Sequence, residues 1–187
     1  MTQNLKIESD AFSAGQIESK VWAAEELEQA VKNLNTGPLR ICILGGWYSL
    51  LHFILQVRKN IEIEYCRSVD IDPVVSHIAN AINNTWESDS WLFRAFPKDA
   101  NEIIFEDDQI NCVINTSTEH FSSDIWFENI PSGAIVLLQS NDLKIDSHVN
   151  LVSSLDELKN KYKLDSVLYQ GQKTVTDYTR FMLIGIK

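Results

Sequence analysis

The stretch RICILGGWYSLLHFILQ, residues 40–56, decides the fold. Ile41 to Leu44 make an apolar run of strand length. Gly45 and Gly46 follow, then Trp47 and Tyr48, then an apolar pattern of helical spacing from about Ser49 to Arg58. A strand, a glycine turn and a helix in succession begin many nucleotide-binding crevices, because the glycines let backbone approach the ligand. The dinucleotide pattern G-x-G-x-x-G is absent, and two bulky aromatics stand where small residues are usual. The turn is a working site, a modified one or simply a tight connection. The flanking segments bear on that choice.

Upstream, Ile17, Val21, Ala24, Leu27, Val31 and Leu34 recur at steps of three and four, which predicts a helix over about 14–34. Gly37 and Pro38 end it. Downstream, Ile61 to Val69 reads as a second strand and Asp72-Pro73 as an N-cap with proline at the first helical position. Val74, Ile78, Ala81 and Ile82 supply that helix's apolar stripe. Trp91–Phe96, Ile110–Asn115 and Ala134–Ser140 are expected as strands three to five. Leu155–Tyr162 reads as a short amphipathic helix, and the last segment, SVLYQGQKTVTDYTRFMLIGIK, as a β-hairpin.

Strands alternating with helices argue for a parallel sheet covered on both faces. Such sheets bind ligands outside the carboxyl ends of their strands, at the topological switch point. Those ends are Gly45-Gly46, Asp70, Asp99-Ala100, Asn115–Phe121 and Gln139–Asp142. All are polar or glycine-rich, although the strands that feed them are apolar.

The bounds are consistent with this. The chain has 187 residues, 44% of them hydrophobic and 22% charged, as in an ordinary globular domain. No apolar run approaches the roughly 20 residues needed to span a bilayer, and the first residues lack a signal-peptide pattern, so a cytoplasmic address is expected. A formal charge of −10 without a Lys/Arg cluster disfavours nucleic acid as a partner. Cys42, Cys66 and Cys112 form no CxxC pair and read as buried free thiols, so no metal site is expected.

ICILGGWYS, SVDIDP, PKDA, CVINTSTEH and IPSGAIVLLQS together resemble the motifs of class I S-adenosylmethionine-dependent methyltransferases, over nearly the whole chain. The resemblance implies a three-layer α/β Rossmann-like sandwich. Its sheet is mostly parallel and seven-stranded, with an antiparallel C-terminal hairpin. It implies one domain over residues 1–187, in which residues 1–36 form a helical lid and 37–187 the core. It implies S-adenosylmethionine as cofactor, with Gly45, Gly46, Trp47 and Tyr48 at its methionine part, Asp70 and Ile71 at the ribose, Asp99 and Ala100 at the adenine, and Asn115 and Thr116 beside it. Asn115, Glu119 and His120 would then be the substrate-side catalytic group, His120 as a base. The sequence departs from the family where an acidic residue usually precedes the glycines: that position is Ile43.

Each position also has a structural reading. The glycines suit any tight turn, Asp70 and Asp72 suit caps, Asp99 suits the surface, and Glu119 and His120 suit a solvated helix start. His52 and His77 fall inside helices, and Asn141, Asp142 and His148 in a polar connection. Three functions follow: a methyltransferase acting on a small molecule or a protein side chain, an enzyme that uses the cofactor's aminocarboxypropyl arm, or a non-catalytic nucleoside-binding module. No motif marks the acceptor.

Overall fold

The computed structural model describes residues 7–34, 36–84, 92–175 and 177–187. The strands are β1 (Leu39–Leu44), β2 (Ile63–Asp70), β3 (Phe93–Pro97), β4 (Cys112–Asn115), β5 (Ile135–Asn141), β6 (Ser166–Val175) and β7 (Tyr178–Ile186). The helices are α1 (Ala14–Lys32), α2 (Leu50–Arg58), α3 (Pro73–Asn83), α4 (Ile125–Glu128) and α5 (Leu155–Lys161). Single 3-10 turns lie at Ser9–Phe12, Ala100–Glu102 and Thr118–His120. The expected start of the third strand at Trp91 lies outside the described residues, as do residues 1–6 of the expected lid.

The strands form one sheet in the order β3-β2-β1-β4-β5-β7-β6. β1 to β5 are mutually parallel, and β7 runs antiparallel to both β5 and β6. The chain moves outward from β1 to β3, then returns to place β4 on the other side of β1. The switch point is therefore between β1 and β4, where Leu44 pairs with Asn115. Because β7 is antiparallel, its beginning lies at the same sheet edge as the end of β5, with Arg180 opposite Asn141.

Alternation along β1 sets the layers. Ile41 and Ile43 join a core with Trp22, Leu27, Leu51 and Leu55 from α1 and α2. Cys42 and Leu44 face the other way, into a core with Trp126, Leu158 and Tyr162 from α4 and α5. The three thiols are all buried, and burial raises Cys42 and Cys112 to about 12, so they are unreactive neutral packing groups.

Two helix readings change in detail. α3 does begin as expected: the Asp72 side chain accepts from the Val74 N–H at 2.7 Å, with Pro73 at the first position. Its buried face, however, carries Ser76, Ile78, Ala79 and Asn83, while Val74 and Ala81 are exposed. Asn83 fits there because its amide nitrogen donates to the carbonyls of Ala79 and Tyr48, which offsets part of the penalty of burying it. In α2, His52 is buried against Phe93 with ring centroids 4.7 Å apart. Neither of its ring nitrogens has a hydrogen-bond partner among the described residues, and burial lowers its pKa to about 4.

Candidate functional site

The glycine turn is tightly determined. Gly45 has φ +57°, and a Cβ there would approach Ser117 Oγ to 2.9 Å and the Phe121 ring to 3.0 Å. A Cβ on Gly46 would reach Ser68 Oγ at 2.1 Å, so only glycine lets the turn close on β2. Trp47 and Ser49 also have positive φ, 48° and 54°, which is unusual for residues with side chains. Two contacts hold them. Trp47 donates its N–H to Asp70 Oδ2 at 3.1 Å, and Ser49 Oγ lies 2.6 Å from Ser68 Oγ in a buried pair. The carboxylate at the end of β2 thus fixes the turn after β1.

Above this turn lies a cleft of about 830 Å³, within the range of small-molecule sites. Its walls include Gly45, Gly46, Trp47, Tyr48, Asp70, Ile71, Asp99, Ala100, Thr116, Glu119 and His120. Asn115 is the sequence-expected site residue that does not line it. Asn115 is fully buried, and its Oδ1 accepts the N–H of Ser117, which shapes the strand end instead. Asp99 is exposed and caps the following 3-10 turn through the Asn101 N–H at 2.9 Å. Ile71 is exposed and Tyr48 buried, the latter accepting the Glu8 N–H on its hydroxyl at 3.1 Å.

Glu119 is not the solvated helix start that its sequence context suggests. It is only 3% exposed. Its Oε1 accepts from Asn141 Nδ2 at 2.5 Å, and its Oε2 has no partner among the described residues. His120 stays exposed, with Nδ1 3.0 Å from the Ser147 carbonyl. His148 packs edge-on against it at a centroid distance of 4.7 Å.

The cleft also takes residues from outside those strand ends. Arg180, 4% exposed, enters from β7 and donates to the Thr116 carbonyl and the Tyr178 hydroxyl, leaving Nε without a partner among the described residues. Its signal was available: one charge in the otherwise apolar run RFMLIGI. Lys20 and Gln16 reach the cleft from α1 together with Asp10, Ala11, Ser13 and Gly15 from the segment around its start. Lys20 keeps part of its surface accessible, yet its pKa is lowered to about 7. Burial of the ammonium is the main cause, and Arg180 adds to it while Glu119 opposes both. α1 is anchored below this point by Ser19, which exchanges hydrogen bonds with the Gln139 side chain, and by Trp22, whose indole donates to the Tyr169 hydroxyl at 3.0 Å.

The donors and acceptors suit a nucleoside. Each Asp70 oxygen already accepts one backbone N–H, from Trp47 or Asp72, and keeps further lone pairs for a pair of hydroxyls. The space that a Cβ at Gly45 would fill is held open beside Ser117 and Phe121.

No family model matches the chain, and no curated protein matches it. Solved structures do match. The chain superposes on magnesium protoporphyrin IX methyltransferase (ChlM) from Synechocystis PCC 6803 with bound SAH at a TM-score of 0.68. The identity is 10%, over 92% of this chain and 84% of that one. The plantazolicin methyltransferase BpumL in complex with SAH gives 0.62 and 10%, over 96% and 93%. The [4+2]-cyclase SpnF gives 0.68 and 13%, over 96% and 84%. At these identities the likeness establishes the fold: the chain has the Rossmann-like architecture of class I methyltransferases.

Proposed function

We propose that the chain is an S-adenosylmethionine-dependent methyltransferase acting on a small molecule or a protein side chain. The observation that carries this reading is Asp70. It ends β2 at the cleft, holds the strained glycine turn through Trp47, and retains free acceptor capacity toward the cleft. ChlM and BpumL, which share this fold, are described with SAH bound, which adds to the argument.

In this reading Asp70 accepts the ribose hydroxyls, with Ile71 packing beside it. Asp99 and Ala100 meet the adenine, and Gly45 and Gly46 give the methionine part its close approach to backbone. Trp47 offers an aromatic face to a sulfonium, with the buried Tyr48 packed behind it. Thr116, Glu119 and Arg180 face the acceptor, with Asn115 as a positioning residue behind them through Ser117. When bound, the cofactor supplies an electrophilic methyl group that needs only an aligned nucleophile. Lys20, rather than an anionic group, is the cleft residue we assign to take a proton from an acceptor hydroxyl, because its ammonium is already destabilised. The segment 7–20 acts as the lid that excludes water, with α1's lower half fixing it to the core.

The aminocarboxypropyl alternative finds no support in the neighbouring structures. A cytoplasmic location agrees with three free thiols, and among the described residues no helix is long and apolar enough to cross a membrane. Calorimetry with SAH tests the assignment. Charge-assisted hydrogen bonds contribute about 1.5–3 kcal/mol, so Asp70→Ala should weaken SAH binding about 10- to 100-fold. Equal affinity in parent and variant would remove Asp70 from the site.

A further inference from the structure

We propose that Glu119, His120 and His148 form a binding site for a divalent transition-metal ion at the acceptor end of the cleft. A carboxylate oxygen of Glu119 and a ring nitrogen of each histidine lie within 4.8 Å of one another, and all three residues line the cleft. His148 stands 28 positions beyond His120 in the chain, so only the fold brings them together.

The groups that would orient these three side chains are already in place. His120 Nδ1 lies 3.0 Å from the Ser147 carbonyl and His148 Nδ1 lies 2.7 Å from the Leu143 carbonyl. A carbonyl only accepts, so each Nδ1 carries the proton and each Nε2 keeps its lone pair for a metal. The Glu119 carboxylate is oriented by Asn141 through Oε1, while Oε2 is buried and unpartnered among the described residues. A buried carboxylate oxygen without a partner is costly, and a cation removes that cost. The loop is also tied to the carboxylate's own backbone: the N–H groups of Val149 and Asn150 both donate to the Glu119 carbonyl. The ligand residues therefore cannot drift apart independently.

Two imidazoles and one carboxylate suit zinc, iron(II) or manganese(II), and three protein ligands leave positions open. The open side meets the cleft, so the further ligand is an oxygen of the acceptor, a hydroxyl or carboxylate. Arg180, which also lines the cleft, complements an anionic acceptor oxygen. That last role rests on the methyltransferase reading; the metal site itself does not. In this assignment His120 is a ligand and not a base.

The test uses the untagged full-length chain, stripped with a chelator and titrated with Zn²⁺ and with Mn²⁺. One equivalent of Zn²⁺ should bind to the parent and to His77→Ala, an exposed histidine outside the cleft. His148→Ala, His120→Ala and Glu119→Gln should each weaken it at least tenfold. His148→Ala keeps the experiment decisive if the buried Glu119 variant fails to fold. Failure of both ions to bind, or unchanged affinity in His148→Ala, would overturn the site. SAH calorimetry on the same samples separates the two readings. Zn²⁺ binding by a protein indifferent to SAH supports the metal site and overturns the methyltransferase. SAH binding by a protein indifferent to both metals overturns the metal site alone.

Discussion

Lys20 illustrates how far a single side chain can depart from its sequence context. In the sequence it is one basic residue on the polar side of an amphipathic helix. In the fold its ammonium is buried near Arg180, and its pKa is lowered to about 7. The proton therefore leaves well below the pH at which an exposed lysine, with a pKa of about 10.4, loses it. Competitive acetylation at a series of pH values, read by mass spectrometry, should give Lys20 a labelling midpoint near 7. Burial is the main cause and Arg180 adds to it, so Arg180→Met should raise the midpoint part of the way. A midpoint shared with the surface lysines would contradict both the burial and the role in proton transfer. Glu119 departs from expectation for the same reason as Lys20. Its partner Asn141 comes from a different strand end, and no local pattern announces a long-range hydrogen bond. Asp70, Gly45 and Gly46 were legible because their constraints are local: a strand end, a positive φ, and a contact within one strand–helix–strand unit.

At the scale of elements, α2 carries a cost within its packing. His52 is buried without hydrogen bonds, neutral, and stacked on Phe93 from β3. Its pKa is about 4 in the fold against 6.5 in an open chain. Between those values the unfolded chain binds a proton that the folded chain refuses, so stability falls as pH drops through that window. Urea denaturation at pH 6.5 and 5.0 should show the parent losing about 1.5 kcal/mol more than His52→Phe. Equal losses in both proteins would place His52 in a solvated or hydrogen-bonded setting. The helices and strands of the first half were readable from periodicity, because they alternate and each buries one face. The stripe expected on α3 holds at Ile78 and Ile82 but not at Val74 and Ala81, and it misses Asn83, which is buried with hydrogen bonds that hydrophobic spacing does not register. α4 is a single turn set by the Trp126 and Phe127 contacts with Tyr162, and a turn that short has no period to detect.

At the scale of the whole molecule, the strand order places every polar strand end on one edge, with the antiparallel β7 adding Arg180 to it. The candidate location of the site followed from alternation alone, whereas the hairpin reading did not say that β7 pairs between β5 and β6. The departure at Ile43 has a structural explanation in part. Ile43 is 2% exposed and packs in the core directly under the turn, where an apolar side chain serves the layer. Basic groups from α1 and β7 line the cleft instead. The most direct measurement is a crystal structure of the full-length protein with SAH. It should hold the ribose hydroxyls on the Asp70 carboxylate, the adenine beside Asp99 and Ala100, and the sulfur above Gly45, facing Glu119 and Arg180. SAH bound elsewhere, or bound in this cleft without a ribose contact to Asp70, would contradict the account.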